Sequence, residues 1–353
     1  MQRLPRYRTG DAELDGRIGD LIDTLGPIDD ADLIFEMVVS ALRLAKDPAN
    51  RGDLKIANAA LKEMRHAFNV FAPYHSVRKA AIFGSARTSP DDPLYEQTRR
   101  VAAKLAEQDW MVITGAGPGI MEAGIEGAGA DNSFGVGIKL PFEAATTQFL
   151  DDDPKLIVFR YFFTRKVTFM KESDGFVLLP GGFGTMDEAF ELLTLIQTGK
   201  AQPGPIVLLD VPGGTYWTQW IDFVQAELLD GHYISQHDLS LVHVTDDCDE
   251  AVEHVTGFFR NFHSQRYVDG NLVLRLRHEP SDAELAAINH DFADIIVRDT
   301  IARTVASKAE VAEHDVPDLA RIGFRFDRRS HARLRELIDG LNALPDQPSV
   351  ELA

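Results

Sequence analysis

Three glycine-rich turns, and the charged side chains beside them, are the parts of this 353-residue chain suited to chemistry. The run Thr114-Gly115-Ala116-Gly117-Pro118-Gly119-Ile120-Met121-Glu122 places three glycines between an apolar strand and a helix. Backbone N–H groups at such a helix start can cradle a phosphate. The run Leu179-Pro180-Gly181-Gly182-Phe183-Gly184-Thr185-Met186-Asp187-Glu188 offers a second nest of the same kind. In Phe83-Gly84-Ser85-Ala86-Arg87, small residues let a ligand approach the backbone closely. Thr185 and Glu188 stand three apart and share one face of a first helical turn. That spacing fits a substrate-facing pair, and it equally fits a capping box. Arg165 and Lys166 are neighbours near a helix start, so their side chains diverge by about 100° and cannot form one flat clamp. Taken alone they read as a solvated helix face, and a lone glycine turn reads as well as a tight strand-to-helix connection.

Several chemistries are excluded by spacing. Gly115-x-Gly117 begins a dinucleotide fingerprint, but its third position is Ile120, and the next strand ends near Lys139 with no acidic residue for a ribose. No GxxxxGK[ST] is present, so the chain is not a P-loop NTPase. The eleven histidines form no HExxH; His232 and His237 are five apart and no carboxylate pattern joins them. No metal and no cofactor is expected. Pyridoxal phosphate chemistry would need a Schiff-base lysine with a ring-nitrogen partner, and no cofactor absorbance is expected.

Such turns need strands to end in them. Seven short apolar runs are followed by Gly, Pro or Asp and then by helix-length segments: Ala80–Phe83, Trp110–Ile113, Phe134–Ile138, Leu156–Phe159, Gly175–Leu179, Ile206–Leu209 and Leu241–Val244. Continuous rather than alternating apolar runs indicate strands buried on both faces. Their repetition with helices predicts an α/β fold, a Rossmann-like doubly wound parallel sheet over residues 77–262. Ligands in such sheets sit at the carboxyl ends of the strands. Residues 1–76 read as a helical lead-in: Leu14, Ile18, Leu21, Ile22 and Leu25 share one face, Leu33–Leu44 is a second apolar segment, and Ala57–Phe71 a third helix ending near Pro73. Residues 263–353 read as an α+β extension with strands Asn271–Arg277 and Arg321–Phe326, each followed by a helix, at 283–305 and 331–344. Those strands could pair across subunits or bind a regulator; covering a sheet edge is the simpler use.

The formal charge of −19 and a pI near 4.9 oppose binding to nucleic acid polymers and anionic membranes, which require a basic field. They leave open a small anion held by local N–H groups. The single cysteine, Cys248, excludes an internal disulfide framework and fits a reducing compartment. The N-terminus has no apolar h-region and no run approaches about 18 apolar residues, so a cytoplasmic protein without signal peptide or membrane span is expected.

Together, GAGPGIMEAG at 115–124, Arg165-Lys166 and PGGFGTMDE at 180–188 resemble the LOG-type phosphoribohydrolases, a family often mislabelled lysine decarboxylases. The resemblance spans about 77–262. It implies a hydrolase that cleaves the N-glycosidic bond of nucleoside 5′-monophosphates to a free base and ribose 5-phosphate. By the same resemblance, Arg165 and Glu188 are the catalytic pair. Gly182, Gly184 and Thr185, with Gly181, form the phosphate turn. Gly117, Gly119, Met121 and Glu122 form the other nucleotide loop, and Lys166 follows the arginine as it does in the family. Ser85, in the close-approach turn after the first strand, is expected as a further substrate-binding residue. Ala116 departs from a third consecutive glycine in many members, which is tolerable unless that residue needs φ > 0. Flanking zones like those here occur in larger bacterial members, favouring an AMP-like nucleotide over a cytokinin riboside monophosphate. The resemblance also implies a homodimer or higher homo-oligomer. A non-enzymatic nucleotide or cofactor carrier on the same fold is the rival; it would need only the glycine turns and a cation.

Overall fold

The computed structural model describes residues 5–140 and 152–345; the outermost ends of the first and last zones, 1–4 and 346–353, lie outside the described residues. The chain forms two compact units, Met1–Arg65 and His66–Ala353. In the first, helix α1 (Ala12–Asp23) starts at Asp11, whose carboxylate accepts the Glu13 and Leu14 N–H groups. Ile18 and Ile22 of α1 meet Phe35 and Val39 of α2 (Ala31–Leu44) in a small core. The boundary between the units falls inside α3 (Arg51–Phe71) rather than near residue 76. Its physical cause is burial: Ala67 and Phe71 belong to the core of the second unit, where the Phe71 ring stacks on Phe134 at 4.3 Å.

The second unit is built on seven strands, β1 (Lys79–Phe83), β2 (Met111–Thr114), β3 (Ser133–Ile138), β4 (Leu156–Phe159), β5 (Gly175–Leu178), β6 (Ile206–Leu209) and β7 (His243–Thr245). Every pair is parallel and the order is β4-β3-β2-β1-β5-β6-β7. All residues of β1, β2, β5 and β6 are buried, which explains the apolar runs Ala80–Phe83, Met111–Ile113, Phe176–Leu178 and Ile206–Leu209 within them. One face is covered by α4 (Pro93–Ala106), α5 (Ile120–Ala128) and α9 (Cys248–Gly257). The other is covered by α6 (Phe162–Glu172), α7 (Phe183–Gln197), α8 (Tyr216–Phe223) and the end of α3. This is the expected doubly wound α/β sheet. The chain winds outward from β1 to β4, then returns to the other side of β1 with β5. The switch point therefore lies between β1 and β5, and a ligand crevice opens beyond their carboxyl ends.

The C-terminal part adds a four-stranded antiparallel sheet, ordered β10-β11-β9-β8, from β8 (Phe262–Val268), β9 (Asn271–Leu276), β10 (Ala302–Arg303) and β11 (Ala320–Phe324). Two of these strands were expected. β8 escapes the apolar pattern because its residues from His263 on are polar or only partly buried; it is tied to β9 by the turn Asp269-Gly270, both at positive φ. The expected helix over 283–305 is α10 (Asp282–Asp291) only. Asn289 ends the regularity by donating to the Leu285 and Ile301 carbonyls and accepting the Ile301 N–H, which folds the chain back. After the short α11 (Lys308–Ala312), α12 (His331–Asn342) closes the sheet with Leu334, Leu337, Ile338 and Leu341. Arg335 of α12 donates to the Gly204 carbonyl ahead of β6, joining this layer to the parallel sheet.

Candidate active site

The three glycine turns follow β1, β2 and β5, three adjacent strands, and so meet at the switch point. They are stitched together by backbone contacts. The Ile120 N–H donates to the Ser85 carbonyl at 3.1 Å, and Gly84 lies so close to the Ile120 side chain that no Cβ would fit. The Ser85 hydroxyl accepts the Arg87 N–H at 3.1 Å, holding the β1 turn. Gly119 has φ +71°, and a Cβ there would overlap the Ser85 carbonyl, so glycine is required on both counts. Gly181 is pressed against the Thr185 hydroxyl, and its missing Cβ would lie 3.2 Å from the Gly84 carbonyl carbon. The β1 and β5 turns thus touch across the crevice. The Tyr216 phenol, from outside any motif, donates to the Gly181 carbonyl at 2.6 Å.

Ala116 sits between Gly115 and Gly117 at φ +55°, the left-handed conformation that glycine adopts freely. Its N–H donates to the Thr114 hydroxyl and its methyl is buried. Ala116→Gly removes a strain of about 1–2 kcal/mol and gives up a buried methyl and some restriction of the unfolded chain, together about 1–2 kcal/mol. A thermal melt is expected to show Tm within about 2 °C of the parent. Ala116→Val, a β-branched residue at positive φ in a buried turn, should lower Tm by more than about 4 °C. Equal melting of the valine variant would contradict this turn geometry.

Helix α7 begins at Phe183 with Gly182 as its N-cap and no side-chain capping bond. Thr185 and Glu188 are therefore the third and sixth residues of the helix and form no capping box. Both are buried, 4% and 7% exposed. Glu188 faces Arg165 of α6, whose Nη1 is 3.8 Å from Oε1. At that distance the charges attract without a hydrogen bond between them. Arg165 is 8% exposed, which removes the solvated-face reading. Its Nε–H donates to the Val136 carbonyl in β3 at 2.8 Å, and its guanidinium fills the space beside Gly115 that a Cβ would take. The Phe169 ring, 5.2 Å from the guanidinium carbon, supports it. Adjacent helical residues diverge, and Lys166 accordingly points away, to Asp187 at 2.6 Å and Glu191 at 2.9 Å. The structure thus brings Arg165 and Glu188 together with the turns and ties Lys166 to the seam between α6 and α7. Met121 lies against Gly115 and Gly117, and Glu122 stands in the first turn of α5. A Cβ at Gly184 would lie 3.9 Å from the Glu188 carboxylate, an ordinary van der Waals contact.

Burial pushes the Glu188 carboxyl above its ordinary pKa, with Arg165 opposing. Burial likewise draws Arg165 below an ordinary arginine, with Glu188 opposing; it stays charged at any useful pH. A carboxylate of raised pKa is a better proton acceptor near neutrality. A fixed cation beside it can hold an anion or a leaving group. Among the described residues no three His, Cys, Asp or Glu are arranged to hold a metal ion, and no helix is long and apolar enough to cross a membrane. A cavity of about 140 Å³ between α7 and α8, lined by Phe190, Leu193, Trp220 and Leu241, lies on the side of α7 away from Glu188. Of its polar groups, Gln197 and Asp238 bond each other and the Thr194 hydroxyl donates to the Phe190 carbonyl, leaving apolar walls unsuited to a nucleotide.

A family model described as "Possible lysine decarboxylase" matches residues 120–255. The cytokinin riboside 5′-monophosphate phosphoribohydrolase of Mycobacterium marinum is 29% identical over 178 residues, covering 49% of this chain and 90% of that protein. The protein of the same name from Mycobacterium tuberculosis is 31% identical over 163 residues, covering 45% of this chain and 83% of the relative. The molybdenum cofactor binding protein of Rippkaea orientalis is a distant structural likeness: 18% identity, TM-score 0.38, 51% of this chain and 96% of that one. With the second mycobacterial relative matched over most of its length, and PGGFGTMDE and GAGPGIMEAG at the switch point of its sheet, the chain belongs to the LOG-type phosphoribohydrolase family.

Proposed function

We propose that the protein hydrolyses the N-glycosidic bond of an AMP-like nucleoside 5′-monophosphate to a free base and ribose 5-phosphate, with Arg165 and Glu188 as the catalytic pair. The observation that carries this reading is the pair itself: two buried opposite charges 3.8 Å apart, beside glycine turns that converge at the sheet's switch point. The mycobacterial relatives named for a phosphoribohydrolase activity support the reaction class.

Cleavage passes through an oxocarbenium-like ribose, with positive charge growing at C1′. The Glu188 carboxylate stabilises that charge and orients or deprotonates the attacking water. The water oxygen bonds to C1′, the C1′–N bond breaks, and the base leaves with its electron pair and takes up a proton. Arg165, permanently charged, is a poor proton donor and acts electrostatically on a ribose hydroxyl, the phosphate or the departing base. N–H groups of the turns around Gly117, Gly119, Gly182 and Gly184 hold the 5′-phosphate at the starts of α5 and α7, with the Thr185 hydroxyl adding one bond. Binding is then a local effect working against an acidic body. A homo-oligomer is part of the proposal, supported by Phe162, Phe163 and Val167, which leave about half of their surface exposed on α6.

The test is a panel of AMP, GMP, CMP, UMP and isopentenyladenosine monophosphate, with products separated by chromatography. Base and ribose 5-phosphate should appear in equal amounts, most rapidly from an AMP-like substrate. Tight binding of the same nucleotides without product would favour a carrier.

A further inference from the structure

We propose that Tyr216 is a positioning residue for the anion-binding turn: its phenol fixes the Gly181–Gly182 peptide so that the Gly182 N–H faces the ligand crevice. The identity of the ligand rests on the proposed nucleotide reading; the geometry does not. Tyr216 is the first residue of α8, beyond β6 and outside every glycine motif. The loop that carries it is tied at several points. Asp210, 5% exposed at the end of β6, accepts the Val211 N–H with one carboxylate oxygen at 2.8 Å and the Tyr216 N–H with the other at 3.0 Å. Gly214 lies so close to that carboxylate that no Cβ would fit. The Gln97 amide donates to the carbonyls of Asp210 and Asp246, and the Asp246 carboxylate accepts the Gly213 N–H at 2.7 Å. The Tyr216 ring stands edge-on to Trp217, whose own N–H donates to the Leu209 carbonyl. The phenol is thus presented from a rigid platform.

In a trans peptide the carbonyl and the following N–H point in opposite directions. β6, which leads into the loop that carries Tyr216, lies on the side of β5 away from β1. A Gly181 carbonyl drawn toward Tyr216 therefore directs the Gly182 N–H toward the β1 side, where the crevice opens. Two glycines flank that peptide, so the local backbone offers little resistance to its rotation. The 2.6 Å bond from the phenol supplies the constraint that side chains would supply elsewhere.

Tyr216→Phe keeps the ring and removes only the hydroxyl. Losing one neutral hydrogen bond that orients a donor should raise KM for AMP and the inhibition constant of ribose 5-phosphate together, about three- to tenfold. kcat should change less than twofold, and the affinity for adenosine, which lacks the phosphate, should not change. Unaltered KM and inhibition constants would overturn the proposal, as would a fall in kcat alone or an equal weakening toward adenosine. Should the parent protein bind AMP without cleaving it, calorimetry of AMP binding gives the same comparison: the proposed activity would have failed, while three- to tenfold weaker binding by Tyr216→Phe would still support the positioning role.

Discussion

Glu188→Gln is expected to fold and to bind nucleotide like the parent, yet to lose turnover by about two to four orders of magnitude. The amide matches the carboxylate in shape, so the packing beside Gly184 survives. Burial disfavours the charged form of Glu188, but the neutral amide leaves the buried Arg165 charge without its carboxylate, so a lower Tm should accompany the lost turnover. Charge at C1′ develops only in the transition state, so the lost interaction belongs in kcat rather than in binding. Activity, Tm and AMP affinity measured side by side separate these effects. Parent-like turnover in this variant would remove Glu188 from the chemistry and leave it as a buried partner of Arg165.

The second large effect is expected from Arg165→Ala: a fall of about 100- to 1000-fold in kcat, the size typical of losing one fixed electrostatic group in a buried site. It should also move the pH profile. The active form carries an ionised Glu188, so the rate falls as pH drops through that group's pKa. Burial raises this pKa and the Arg165 charge holds it down. With the guanidinium gone, the carboxyl rises further and the acid limb of kcat/KM shifts to higher pH. A rise in KM alone, with kcat and the acid limb in place, would make Arg165 a binding group. The variant also leaves the Val136 carbonyl without its Nε–H donor and a space beside Gly115, so a lower Tm should accompany it.

The parallel sheet was legible because its central strands are buried on both faces, leaving unbroken apolar runs such as Ile206–Leu209. β8 was not, since a strand with polar, partly buried residues lacks that signature, although Asp269-Gly270 marked its hairpin. The early end of α10 depends on hydrogen bonds between Asn289 and Ile301, which local propensity does not contain. At the site, the glycine turns were readable from their order alone. Arg165 was not distinguishable from a surface residue, because the carbonyl that anchors it lies 29 positions away in β3. The spacing of Thr185 and Glu188 fits a capping box, and only the start of α7 at Phe183, a tertiary outcome, removes that reading. The positive φ of Ala116 and the reach of Tyr216 to Gly181 are tertiary facts with no sequence motif.

The most direct measurement is a time course of adenine and ribose 5-phosphate released from saturating AMP by the parent protein and by Glu188→Gln, prepared identically and shown to bind AMP equally. The expected result is one-to-one release of the two products by the parent and at least about a hundredfold slower release by the variant. Equal rates from the two proteins, or no release by a parent that binds AMP, would contradict hydrolysis at the Arg165–Glu188 pair.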